Sequence, residues 1–249
     1  MFIPLHDANT LKHIGRPYVT FGIIALNCLV YLFTAFATED VVTAATISFG
    51  YIPVTLFDDV IRPPAMDIVP GYATYLTYAF LHADLWHLGG NMLFLWVFGD
   101  NVEDALGHVK YLIFYLACAV AGALFHGLVV PDSHSPLIGA SGAVAGIVAA
   151  YLILHPRVKV WVLALGRVPL RLPAWILLAL WVLFQFVMLA AMGEDEVSWA
   201  AHVGGILAGA VLVVLLRRRG VPIFNREIVL PPPVETATPA EPPTPWGRG

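Results

Sequence analysis

Ser141 lies in the stretch Gly139-Ala140-Ser141-Gly142, and His202 in Ala201-His202-Val203-Gly204-Gly205, each at the start of a hydrophobic run. In a soluble loop neither stretch would draw notice. Here both runs are long and apolar enough to cross a bilayer, where an ionisable side chain is costly and marks a candidate functional site. A serine hydroxyl is a weak nucleophile until an adjacent base takes its proton. Ser141 and His202 are therefore read as a nucleophile–base pair inside a membrane. A third stretch, His82-x4-His87-x3-Asn91, puts His87 and Asn91 four residues apart, on one face of a helix. An imidazole and an amide N–H aimed together at a developing oxyanion would complete an acyl-transfer site. Each residue also has a plainer reading. The glycines could simply pack helices, His87 could be a buried structural histidine, and Asn91 could bridge two helices.

The elements that must position these groups follow from composition. The chain has 249 residues, 59% hydrophobic and 12% charged, against about 25% charged in a soluble domain. This is the composition of an all-α polytopic membrane protein. No basic stripe with interleaved aromatics points to nucleic acid. Cys28 and Cys118 sit mid-span in separate runs and read as small packing residues, with no disulfide framework. Six spans are expected, at about 18–37, 78–99, 110–130, 137–154, 173–192 and 197–216. Residues 1–17 form a short lead, 18–216 the membrane domain, and 217–249 a basic stop followed by a Pro-rich tail expected to be disordered. The first span is too long for a signal-peptide core and reads as retained. The loop 38–75 is too apolar for a solvated linker, so part of it is expected in the membrane interface. Residues 157–171 read as a basic loop.

Six spans put both termini on one side. Lys12, Arg16, Lys110, Arg157, Lys159, Arg167, Arg171, Arg217, Arg218, Arg219, Arg226 and Arg248 would share that side, with only Arg62 opposite. The positive-inside rule then makes both termini cytoplasmic. Spans 2, 4 and 6 all run inward, and His87, Ser141 and His202 fall within roughly 6–14 Å of the outer boundary at 1.5 Å per residue. Close approach needs small residues at the contact. Span 4 supplies Ser141, Ala145 and Ala149 with Gly142 and Gly146 beside them; span 6 supplies His202, Gly205 and Gly209 on one face. The nearest acidic residues to His202, Glu194, Asp195 and Glu196, sit in an outer turn. A Ser–His dyad is expected rather than a triad.

Taken together, Gly139-x-Ser141-Gly142, Ala201-His202-x-Gly204-Gly205, His82-x4-His87-x3-Asn91 and the turn Gly99-Asp100-Asn101-Val102-Glu103-x3-Gly107 resemble the rhomboid serine proteases. The resemblance covers about residues 18–216, with the motifs in order on the expected spans. It implies a six-transmembrane-helix bundle, of the basic form common in the bacterial cytoplasmic membrane, that cleaves other membrane proteins near the outer side of their spans. Its partners would be transmembrane protein substrates and the lipid bilayer, with no nucleic acid, no metal and no cofactor. Ser141 would be the nucleophile and His202 the general base. His87, Asn91 and the backbone N–H of Ser141 would hold the oxyanion, and Gly139 and Gly142 would let the substrate chain approach. His82 and Glu103 resemble structural positions of the family.

Two positions depart from the pattern. Some rhomboids place an aromatic residue four positions after the serine, stacked on the histidine; here it is Ala145, so His202 must be held otherwise. Many carry a Trp-Arg pair in the long loop where this chain has Ala73-Thr74. The rivals are a transporter with a path through His82, His87 and His202, and a catalytically dead client-binding relative. The first predicts paired repeats with interrupted helices, which the chain lacks. The second should lack the serine or the histidine, and both are present. HExxH is absent, as is a pair of intramembrane aspartates.

Overall fold

The computed structural model describes residues 2–57, 60–164, 166–191 and 198–224. Among them, four helices are long and apolar enough to cross a membrane: α1 (Tyr18–Ala35), α5 (His108–Val129), α7 (Ala174–Ala191) and α8 (Trp199–Leu216). The serine helix α6 (Ser141–Leu154) is apolar but has only 14 residues. Between α1 and α5 lie α2 (Glu39–Phe49), then α3 (Leu85–Phe94) and α4 (Asp100–Leu106), the last two joined through π-helical Leu95–Gly99 into one helical run. Outward-facing Leu29, Phe33, Leu183, Val211 and Leu215 are exposed, as expected of side chains that meet lipid. The core is built around α5, whose Tyr111, Phe114, Tyr115, Cys118 and Ala119 are fully buried.

The second segment starts later than expected. Residues 74–80 form short helical turns, the chain then breaks, and α3 begins at Leu85. Asp84 caps it, its carboxylate accepting from Trp86 N at 2.7 Å and His87 N at 2.9 Å. His82 therefore precedes the helix. At the other end the turn expected to follow this segment is helical. Asp100, Glu103 and Asp104 lie in helix α4, which ends at Gly107 with φ +85°.

The all-α expectation needs one correction. Residues 157–171, expected as a basic loop, fall largely in the strands β2 (Lys159–Ala164) and β3 (Val168–Pro173), and Phe2–Asp7 of the lead forms β1. The three make an antiparallel sheet in the order β1-β2-β3. The physical cause is the period-2 burial of Lys159-Val160-Trp161-Val162, with Val160 and Val162 buried and Lys159 and Trp161 exposed. Gly166 supplies a positive φ at the turn. Arg171 lies over the Trp161 ring at 5.9 Å, across the β2–β3 pair.

The sheet sits at the end of the bundle where the two termini meet. Asp104 accepts from the backbone N–H of Lys12, His13 and Ile14 and contacts the His13 ring at 2.9 Å. Arg218 N donates to Ala105 O, and Phe224 N to Ile153 O. Glu103, fully buried, accepts from Val19 N, Thr20 N and the Thr20 hydroxyl, and pairs with His108 Nδ1 at 2.5 Å. It thereby caps α1 from a helix more than eighty residues away. The Pro-rich tail from 225 and the whole of 192–197, with the acidic turn, lie outside the described residues.

Candidate active site

Ser141 opens α6, and the loop before it is held on both sides. Tyr51 and Leu137 exchange backbone hydrogen bonds at 3.1 and 2.8 Å, and Gly139 N donates to Tyr78 O at 3.0 Å. Gly139 itself has φ +118°, a backbone conformation that disfavours any side chain. A Cβ there would also lie 2.6 Å from both Cε1 and Nε2 of His87. The glycine thus brings the His87 imidazole directly against the serine loop. Sequence spacing had put these residues at similar depth; the missing side chain at 139 makes the contact.

α6 and α8 touch backbone to backbone. A Cβ on Gly205 would overlap the Gly142 carbonyl, and one on Gly209 the Gly146 carbonyl. A Cβ on Gly142 would sit 3.3 Å from Ala201 O. The closest approach therefore runs between Gly142 and the Ala201–Gly205 segment, with Ser141 immediately before Gly142 and His202 immediately after Ala201. α5 completes the packing, since a Cβ on Gly122 would sit 2.9 Å from Ala201 O. Small residues on three helices thus bring the segment that follows Ser141 against the segment that carries His202.

His202 is 8% exposed. Its Nδ1 lies 2.7 Å from Gln185 Oε1 on α7. The rings of Trp181 and Trp199 flank it, with centroids at 6.1 and 5.9 Å and interplanar angles of 32° and 87°. Ser141 is half-buried. Among the described residues its hydroxyl has no hydrogen-bond partner, and none joins it to His202 directly. Such a contact is often loose in an unliganded site and tightens around substrate.

Asn91 and His87 do share a face of α3, but they are not equally available. Asn91 Nδ2 lies 3.1 Å from His82 Nε2, so one amide hydrogen is committed to a neighbour. His82 Nδ1, on the other side of the ring, is buried without a partner. The His82 and His87 rings meet edge to face at 5.1 Å. His87 is half-buried and its imidazole makes no hydrogen bond to the described residues. A serine–histidine hydrogen bond is made elsewhere, from Ser198 Oγ to His126 Nδ1 at 2.7 Å. The Ser198 oxygen also accepts from Ala201 N at 3.1 Å and so caps α8, which gives it a structural task.

Sequence reasoning missed Gln185. It is the one amide in an otherwise apolar span, and a polar side chain at that depth was the available signal.

A family model described as "Rhomboid domain" matches residues 70–219. The chain is 31% identical over 150 residues to "Rhomboid protein 1, mitochondrial" of Saccharomyces cerevisiae, covering 58% of this chain and 42% of that protein. It is 30% identical over 152 residues to "Rhomboid-related protein 3" of Homo sapiens, covering 58% and 36%. It is 26% identical over 197 residues to "Rhomboid protease GluP" of Bacillus subtilis, covering 78% and 34%. The chain spans half or less of the length of these three relatives.

Proposed function

The chain belongs to the rhomboid family of integral membrane proteins, and on that premise we propose that it is an intramembrane serine endopeptidase. The observation that carries this reading is the joint placement of the motif residues. An unpaired serine hydroxyl opens a helix that touches, backbone to backbone, the helix carrying a histidine whose Nδ1 is already occupied. The relative from Bacillus subtilis, whose name includes "protease", supports the same reaction class.

In the proposed reaction His202 Nε2 accepts the Ser141 proton as Oγ attacks the carbonyl carbon of the scissile peptide bond. The carbonyl electrons move to oxygen. His87, the free amide hydrogen of Asn91 and the backbone N–H of Ser141 stabilise that oxyanion. The tetrahedral intermediate collapses, the C–N bond breaks, and the His202 proton goes to the leaving amine. Water then attacks the acyl-enzyme with His202 again as base, and Ser141 is regenerated. Gly139 and Gly142, expected to let the substrate chain approach, instead give the space of their missing side chains to His87 and to Tyr78 and Ala201, so their part in this reading is to pack the site together. No metal or cofactor enters this chemistry.

In this reading all six segments cross the bilayer, α6 with its serine end sunk below the surface and α3–α4 as one span. Both termini lie in the cytoplasm, as the basic residues at their end require, and the site opens toward the outer side of a bacterial-type cytoplasmic membrane. Substrates are transmembrane proteins cut near that side, entering between α3 and α7. The turn Glu194–Ser198 is the proposed cap. A fluorophosphonate probe tests the nucleophile: it should label the wild type at Ser141 and leave Ser141→Ala unlabelled. Equal labelling of both would refute the assignment.

A further inference from the structure

α7 faces lipid along most of its length: Leu180, Leu183, Phe184, Phe186 and Val187 are all exposed, while Gln185 is 2% exposed. A lone amide in an apolar helix can satisfy itself on its own backbone, and Gln185 does so with half of its side chain. Its Nε2 donates to Trp181 O, one turn back, at 3.1 Å. Its Oε1 instead reaches across the helix interface to His202 Nδ1 at 2.7 Å.

These two contacts together determine a proton position. The Trp181 carbonyl can only accept, so the group facing it must be the NH2. Turning the amide over would set two oxygens against each other. Oε1 therefore faces the imidazole, and an oxygen can only accept, so Nδ1 carries the ring proton. Nε2 is left with its lone pair free, the state a general base requires. A carboxylate does this work in a Ser–His–Asp triad; here a neutral amide does it, without burying a charge in the bilayer.

The neighbouring packing explains why the amide can reach. Ala145 and Ala149 of α6 and Ile206 of α8 form a small cluster against which Trp181 and Val182 of α7 pack. A small residue at 145 lets α7 close on this cluster, one turn from Gln185. The position that lacks a ring to stack on His202 is thus the position that admits the helix bearing its hydrogen-bond acceptor.

Resting on the protease reading for its catalytic consequence but not for its geometry, we infer that Gln185 is the positioning residue of His202. It holds the imidazole in the Nδ1–H tautomer, with the basic nitrogen directed to the serine side. The full chain in liposomes, labelled with 15N-histidine and compared with His202→Ala to assign the signal, tests this directly. Wild-type His202 should carry its proton on Nδ1, Gln185→Leu should give a tautomer mixture, and Gln185→Glu, which keeps an acceptor, should restore the wild-type state. A wild-type signal unchanged in Gln185→Leu would overturn the inference. The same variants, assayed on a single-span substrate, should separate positioning from structure. Gln185→Leu should lower kcat about 10–100-fold, the usual effect of removing a group that orients a functional histidine, with KM and Tm near wild type. Gln185→Glu should recover most of the rate. Equal losses in both variants, tracking loss of folded protein, would make Gln185 a packing residue. If the wild type fails to cleave, the tautomer result still decides the role of Gln185, and the protease reading alone falls.

Discussion

At the end of the bundle that residues 2–16 and 217–224 reach, two buried acids are saturated. Glu103 and Asp104 each gather several donors, from the first turn of α1, the N-terminal lead and two histidine rings. At the Ser141 end the polar groups are left short of partners: the serine hydroxyl has none, His82 Nδ1 is buried without one, and Gly139 holds a left-handed backbone against an imidazole. Burying a carboxylate costs several kcal/mol unless hydrogen bonds compensate it, and one that is compensated is a structural clamp. Buried polar atoms without a partner occur at both ends, Arg218 Nε and the Tyr111 hydroxyl among them; what sets the Ser141 end apart is that its unpaired groups include those proposed to react. One end of the molecule is clamped by its buried acids, and the other carries the groups proposed to react.

That contrast can be broken at either end. The largest effect is expected from His202→Ala, which removes the base: cleavage should fall by about 10⁶-fold, the scale seen when a nucleophile's base is deleted, with Tm essentially unchanged. At the opposite end Glu103→Ala should do the reverse. It strands the Val19 and Thr20 donors and should cost about 3–5 kcal/mol of stability, while the folded fraction keeps its kcat. Chemical denaturation and kinetics on the same preparations would show whether stability and activity separate in this way. His87→Ala or Asn91→Ala should each reduce kcat by about 10²–10³. A smaller loss for Asn91 is expected only if its bond to His82 is not released when substrate binds.

The smallest effect concerns pH. Asp7 on β1 is buried, which pushes its carboxyl up to about 7, against the hydrogen bond from Tyr151 at 2.5 Å that opposes the shift; the charge of Asp100 adds to it. Asn101 Nδ2 also donates to Asp7 at 3.0 Å. With the folded value above the unfolded one, the folded state binds the proton more tightly. The stabilisation is therefore complete below about pH 4 and is lost as pH rises toward and through about 7. Thermal unfolding between pH 4 and 8 should show this slope in the wild type and a flatter one in Asp7→Asn. An unchanged slope would mean that Asp7 is not the group responsible.

The same division explains what could be read in advance. The candidate site could be picked out from the sequence because its signals are local. Glycines flank Ser141 and follow His202, and His87 and Asn91 fall at helical spacing in runs too apolar to carry polar groups idly. The clamped end was legible only through the resemblance, which marks Glu103 as structural, because its partners are remote in sequence. What Glu103 and Asp104 hold appears only when Thr20 and His13, eighty to ninety residues earlier, are brought to them. The sheet was hidden for a related reason. Its strands are six residues long, and the arginines around them outweighed a short alternation that is stabilised by pairing with the distant residues Phe2–Asp7. Gln185 was overlooked because its partner depends on a side chain that is small, Ala145, rather than on one that is reactive.

The central claim is that the unpaired hydroxyl of Ser141 attacks a peptide bond within a membrane-spanning substrate. Its most direct test is cleavage of a single-span substrate with a Gly-rich outer segment, co-reconstituted in liposomes with wild-type protein or with Ser141→Ala. The account predicts a defined cut near the outer end of the substrate span by the wild type, and none by a variant with the same Tm. Cleavage that persists in Ser141→Ala would contradict it.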